Sequence, residues 1–183
     1  MKKIGVFFAN GFEEVEALTV VDLCRRGGID VKMVAVSECL NVIGRSDIEI
    51  RTDILFNEKI IANFDGLILP GGMPGTNNLM EHRGLCKALC DFNSKGKLVA
   101  AICAAPMVLG KLGILRGKKA CCYPGMEEYL EGAQIEDGLV SVDGNVITSR
   151  GIGTAIAFSL AIIEMLEDEN TAEEVRKSIV YNF

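Results

Sequence analysis

The sequence predicts an α/β fold, a mostly parallel sheet with helices on both faces. Two observations carry this. Short apolar runs alternate with helical patterns from the first residues onward, as serial strand-helix-strand units do. Of the residues, 49% are hydrophobic but only 6% aromatic, with no tryptophan. That is the aliphatic composition of a buried Val/Ile-rich parallel sheet. At 183 residues the chain suffices for one well-buried domain and is short for two, so residues 1–183 read as a single domain.

The elements follow in order. Lys2 to Phe8 reads as a strand, and Phe12 to Arg26 as a helix ended by Gly27-Gly28. Ile29 to Ser37 is a strand, and residues 40 to 57 suggest a small antiparallel excursion. Asp65 to Leu69 is a buried strand running into "PGGMPG". Asn77 to Asn93 reads as one helix, closed by Ser94-Lys95-Gly96. Lys97 to Ile102 is a strand, Ala104 to Leu112 a helix, and Lys118 to Tyr123 a strand stopped by Pro124-Gly125. "GLVSVDGNVITS" is a hairpin turning at Asp143-Gly144. "GTAIAFSLAIIEMLED" is a helix apolar on most faces, and Thr171 to Val180 a final amphipathic one. No repeat or low-complexity segment interrupts this order.

In such a sheet the loops after the strands share one rim, where ligands bind. The rim gathers "NGFEEVE" (10–16), Gly71-Gly72, Cys103 and Tyr123. Cys103 stands at the strand-to-helix joint of "VAAICAAPMVLG", with Ala101 and Ala105 two places either side. That is the spacing of a nucleophile elbow, where small residues let the backbones approach. The helix expected from Ala104 would favour a thiolate by up to about 2 kcal/mol. Lowering a thiol from about 8.5 to about 6 takes roughly 3.4 kcal/mol, so a further donor is needed. Glu16 qualifies if it keeps its proton, because an ionised carboxylate would repel the thiolate. Helical spacing puts Glu13 and Glu16 on one face with Glu14 turned away. The competing reading is that acids simply cluster in a first helical turn for dipole reasons. Gly71 and Gly72 offer backbone amides to a developing oxyanion.

There are seven cysteines, Cys24, Cys39, Cys86, Cys90, Cys103, Cys121 and Cys122. An odd, scattered set without ribbon spacing argues against a disulfide framework or a zinc site. Apart from Cys103 they read as small hydrophobes. The one histidine, His82, falls in the 77–93 helix and reads as a solvated surface residue. A cysteine protease or amidotransferase needs imidazole beside its thiol, so classical hydrolysis is disfavoured. Net charge is −6, from 19 basic and 25 acidic residues, which gives nucleic acid or an anionic membrane little to hold. "MKKIGVFFANG" mimics a signal peptide, but its apolar run stops after six residues, so the expectation is a cytoplasmic protein.

Together "GFEEVEALTVVDLCRRGGIDV", "DGLILPGG", "LVAAICAAP" and "TSRGIGTAIAFSLAIIE" resemble the ThiJ/PfpI superfamily, in the DJ-one branch of the parkinsonism-associated deglycase. The likeness spans essentially the whole chain. It implies a flavodoxin-like three-layer sandwich of the class I glutamine amidotransferase-like type, a homodimer, and no cofactor or metal. It also implies Cys103 as the reactive cysteine and Glu16 as the acid bonded to it. Glu13 corresponds to a second family acid, and Gly71, Gly72 and the amide of Ala104 to the oxyanion-type donors. Close relatives often carry histidine before proline twenty residues after the cysteine; here Tyr123 holds that place. The implied function is glyoxalase or deglycase chemistry on methylglyoxal, glyoxal or their early adducts with thiols and amines. The alternative is a redox-sensing stress protein or chaperone whose Cys103 is oxidised to sulfinic acid.

Overall fold

A computed structural model describes residues 1–182. Strand β1 (Lys3–Phe8) is apolar and buried on both sides, which a central parallel strand must be. Helix α1 (Glu14–Arg26) begins at Glu13, whose extended backbone and side-chain oxygen cap the amide of Glu16. It closes on Gly27, and Gly28 takes the left-handed φ of 78° that turns the chain into β2 (Asp30–Ala35). The expected excursion is a small antiparallel hairpin, β3 (Asn41–Ile43) with β4 (Glu49–Arg51). The chain then returns to the main sheet as β5 (Ile54–Leu55), parallel to β2. Short α2 (Glu58–Ile61) leads into β6 (Gly66–Leu69).

The single helix expected over 77–93 is two helices, α3 (Gly75–Glu81) and α4 (Arg83–Ser94). The break is His82, whose extended backbone ends one helix while its Nδ1 accepts the Leu85 amide at 3.0 Å to start the other. Its ring packs 4.4 Å from that of Phe56, so it is a half-buried cap and not a solvated surface residue. Burial pushes its pKa down, in keeping with a neutral, accepting imidazole.

Strand β7 (Leu98–Ile102) is buried throughout. Helix α5 runs from Pro106 to Lys111 and not from Ala104, because residues 103–105 form a turn. The strand expected over 118–123 shrinks to β8 (Lys119–Ala120), which pairs with β9 (Gln134–Ile135) outside the main sheet. Beyond it, the Cys121 amide donates to the Thr148 hydroxyl at 2.9 Å instead of to a ladder carbonyl. The hairpin β10 (Val140–Asp143) and β11 (Val146–Ser149) turns at Gly144-Asn145, one residue later than expected, with Asp143 facing Val146. Helices α6 (Ala155–Leu166) and α7 (Glu169–Ser178) complete the chain.

The main sheet runs β10-β11-β7-β6-β1-β2-β5, every pair parallel except β10 with β11. One core lies between the sheet and α1, α6 and α7; the other is filled from α3, α4 and α5. This is the flavodoxin-like three-layer sandwich. Strand order reverses about β1, so the carboxyl ends of β1, β6 and β7 open onto one crevice. Among the described residues no helix is long and apolar enough to cross a membrane.

Candidate active site

Cys103 follows β7 with φ of 65°, left-handed for a residue that carries a Cβ. Such a conformation costs on the order of 1–3 kcal/mol and persists only where its surroundings enforce it. Two bonds do so: the Cys103 amide donates to the Ser149 carbonyl at 3.0 Å, and the Tyr123 amide donates to the Cys103 carbonyl at 2.9 Å. Ala101 and Ala105 are fully buried beneath the turn. The result is a half-buried thiol held on a strained corner at the crevice, the nucleophile-elbow arrangement.

Glu16 projects from the first turn of α1 and is 0% exposed. Its Oε2 accepts the Gly71 amide at 2.9 Å, its carboxyl lies in hydrogen-bonding reach of Cys103, and its Oε1 has no partner among the described residues. Burial raises its pKa from 4.5 to about 7 against the opposing pull of these bonds. A carboxyl placed only to favour a helix dipole would sit in water, so the dipole reading does not describe this residue. Glu13 is also buried; one of its oxygens holds the Glu16 amide at 2.7 Å, fixing the turn that aims Glu16. Glu14 does point away, yet it too is buried, accepting the Ser46 amide at 2.7 Å beneath the β3–β4 turn.

The glycines divide their labour. A Cβ on Gly71 would lie 2.6 Å from the Cys103 Cβ and 2.7 Å from Glu16 Oε2, so only glycine lets acid, thiol and loop converge. Its amide is spent on Glu16, which corrects the expectation of a free oxyanion donor at Gly71. Gly72, with φ of 92°, and Ala104 instead turn their amides toward the sulfur. One is a loop amide and the other a turn amide; the six-residue α5, opening on a proline without an N–H, supplies less than the full helix terminus expected.

Burial, followed by the charge of Glu16, pushes the Cys103 thiol up to about 12. That reverses the expectation of a depressed thiol for any state in which Glu16 is ionised; Cys24, by burial, also stands at about 12. Two groups this close lose their protons as a pair, the first near 7 and the second near 12. Between those limits the pair carries one proton and one negative charge.

These groups line a shallow cavity of about 380 Å³, together with Tyr123, Pro124, Arg45 and the stretch Arg150–Thr154. Tyr123, half exposed, stands on its wall, brought there by its amide bond to the elbow and not by a sheet strand. No histidine lines the cavity. Sequence reasoning missed Arg45 and Arg150. "SRG" belonged to a recognised segment, but nothing in its spacing marks an arginine that meets Cys103 only through the parallel pairing of β11 with β7.

The chain matches the DJ-1/PfpI family over residues 2–165. It is 38% identical to protein dj-1beta of Drosophila melanogaster over 96% of this chain and 95% of that one. It is also 38% identical to DJ-1 homolog B of Arabidopsis thaliana, over 98% of this chain but 41% of the relative; the chain spans less than half the length of that protein. Among solved structures, oxidized DJ-1 of Toxoplasma gondii superposes with a TM-score of 0.94 at 32% identity, covering 100% of both chains.

Proposed function

The chain belongs to the DJ-1/PfpI family, and from that premise we propose that it is a cysteine-dependent, cofactor-independent glyoxalase or deglycase acting on methylglyoxal, glyoxal and their early adducts. The observation that carries this reading is the buried Glu16 carboxyl, held at about 7 and within hydrogen-bonding reach of a thiol on a strained elbow. Such an acid exchanges protons near neutrality, which catalysis requires of it. With the pair's proton on Glu16, the Cys103 thiolate attacks the aldehyde carbon of methylglyoxal. An S–C bond forms, the carbonyl π bond opens, and the oxygen takes the proton from Glu16, giving a hemithioacetal. Glu16, now ionised, removes the proton from that carbon and returns it to the neighbouring carbonyl carbon, while the hydroxyl proton passes from the first oxygen to the second. The product is a lactoyl thioester, which water cleaves to lactate and free thiol. Gly72 and Ala104 amides, placed at the sulfur, serve the oxyanion as it develops. Where the substrate is an adduct of an amine or thiol, that group leaves and the reaction is deglycation. Tyr123 sets a phenol where an imidazole would relay protons at pH 7, and a phenol is poorly suited to that task, so turnover is slow.

The second reading is a redox sensor in which Cys103 is oxidised to sulfinic acid. What favours it is a half-exposed thiol at a polar cavity, and that one similar structure is of an oxidized protein. Steady-state lactate formation from methylglyoxal by the purified protein, absent in Cys103→Ala, separates the two. Failure to form lactate removes the enzyme reading.

The protein also acts as a homodimer. The face formed by α1 and the adjoining hairpin exposes Val15, Leu18, Ile43 and Ile48, side chains that a monomer would leave in water. A mean hydropathy of +0.29 agrees. Sedimentation equilibrium yielding a 19.8 kDa species at micromolar concentration contradicts this.

A further inference from the structure

Away from the elbow, two cysteines share one face of a helix. Cys86 and Cys90 lie one turn apart on α4, the first half-buried and the second exposed. Helical Cβ atoms tilt toward the N-terminus, which sets residue i+4 directly over residue i. The Cys86 Sγ follows that tilt and donates to the Met80 carbonyl at 3.2 Å. Cys90 stands close enough that its charge would raise the Cys86 thiol. The remaining cysteines are placed otherwise: Cys24, Cys121 and Cys122 are buried, and Cys39 is exposed between β2 and β3. Neither Cys86 nor Cys90 lines the cavity of Cys103.

Two common fates of such a pair are closed to it. Helical neighbours at i, i+4 keep their Cβ atoms about 5–6 Å apart, whereas a disulfide needs roughly 3.5–4.5 Å. The pair therefore stays a dithiol while α4 holds. Zinc takes three or four protein ligands, and among the described residues no three His, Cys, Asp or Glu are grouped to hold a metal ion. What fits is an atom that takes two sulfurs and bridges them by two bonds. Burial raises both thiols, against a smaller opposing pull from Lys111 on Cys86, so both carry protons at neutral pH. A partner that condenses with thiols and gives off water suits them better than a cation that leaves a charged bis-thiolate.

We propose that Cys86 and Cys90 form a dithiol site on α4 that binds trivalent arsenicals of the class R–As(OH)2, which have two exchangeable oxygens for two thiols. Two S–H bonds and two As–O bonds break, two As–S bonds form, and two molecules of water leave. Arsenic stays trivalent and nothing is oxidised. The adduct is neutral and closes one ring across a single helical turn.

Phenylarsine oxide, whose hydrate is such a diol, is the probe, read by intact mass on the full chain in excess glutathione. The expected result is one adduct per chain that glutathione does not remove and 2,3-dimercaptopropanol does. Joining two thiols in one ring gains about 10²–10⁴-fold over separate thiols, so Cys86→Ser and Cys90→Ser should each weaken binding at least about 100-fold. Cys90 is exposed, so its variant keeps the test decisive if Cys86→Ser disturbs α4. Combining Cys90→Ser with Asp91→Cys restores the number of thiols but turns the second one off the shared face, and binding should stay weak. An adduct that glutathione strips from the unaltered protein, that persists in Cys90→Ser, or that returns in the Asp91→Cys combination overturns the site.

Discussion

Replacing Glu16 by glutamine should make the protein more stable at pH 8 and leave it nearly unchanged at pH 4.5. Folding raises the Glu16 carboxyl from 4.5 to about 7, a difference of about 2.5 units. A carboxyl whose folded pKa is raised keeps a proton that the unfolded chain has already released. Stability therefore falls as pH rises from about 4.5 to 7, and above 7 the full cost applies, about 3.4 kcal/mol at 1.36 kcal/mol per unit. Glutamine is neutral, fills the same space, and its amide oxygen accepts the Gly71 amide that now binds Oε2. Allowing about 1 kcal/mol for the weaker acceptor, Glu16→Gln should gain about 2 kcal/mol at pH 8. Linkage counts protons and not their positions, so this holds whether the pair's charge lies on sulfur or on oxygen. Surface carboxylates held low by their partners, Glu173 and Asp143 among them, destabilise both proteins alike in acid and cancel in the difference. Urea unfolding of both at pH 4.5, 6 and 8 measures it. A difference that stays constant across these pH values would refute a Glu16 held near 7.

Gly71→Ala places a Cβ at 2.6 Å from the Cys103 Cβ and 2.7 Å from Glu16 Oε2, an overpacking worth about 1–3 kcal/mol; urea midpoints should fall, and alkylation of Cys103 should lose its pH inflection. Glu16→Asp shortens the acid by one methylene, roughly 1 Å, enough to break a hydrogen bond. After graded peroxide its intact-mass spectra should show less sulfinate and more sulfonate than either wild type or Glu16→Gln, and equal sulfinate in all three would leave Glu16 without a role at the sulfur. His82→Ala removes the cap of α4 and should cost about 1 kcal/mol while leaving lactate formation unchanged; a loss of turnover would place an imidazole in the chemistry after all.

The layered fold was legible because its main strands are apolar throughout and its longer helices carry strong stop signals, as Gly27-Gly28 does after α1. What escaped were decisions made by single contacts. Nothing in "NNLMEHRGL" marks His82 as both an end and a beginning, since that depends on its Nδ1 meeting the Leu85 amide and its ring meeting Phe56. The 118–123 segment has the composition of a strand but spends its Cys121 amide on a threonine side chain. At the site, the cysteine on its corner was readable from spacing, but the two acids do not share a helical face as expected, since Glu13 is the extended cap of α1 that holds the Glu16 amide. The occupied amide of Gly71 was not readable either, because a loop glycine shows in sequence that the backbone is free, not which atom it faces. Arg45 and Arg150 stood outside any local pattern; tertiary convergence of two loops makes them neighbours of the thiol. The thiol's own pKa was misjudged for a related reason. Burial and a nearby carboxylate, both products of packing, outweigh the two amides that favour the anion.

The rate of Cys103 alkylation by iodoacetamide between pH 5 and 10, followed on the Cys103 peptide, tests the pairing most directly. If Glu16 keeps the shared proton and the sulfur carries the charge, the rate should rise to a plateau with an inflection near 7, where the pair loses its first proton. At pH 7.5 Cys103 should then outpace all six other cysteines. A rate that climbs steadily to pH 10 without inflection would put the charge on Glu16 and leave the thiol near 12, contradicting Cys103 as an activated nucleophile.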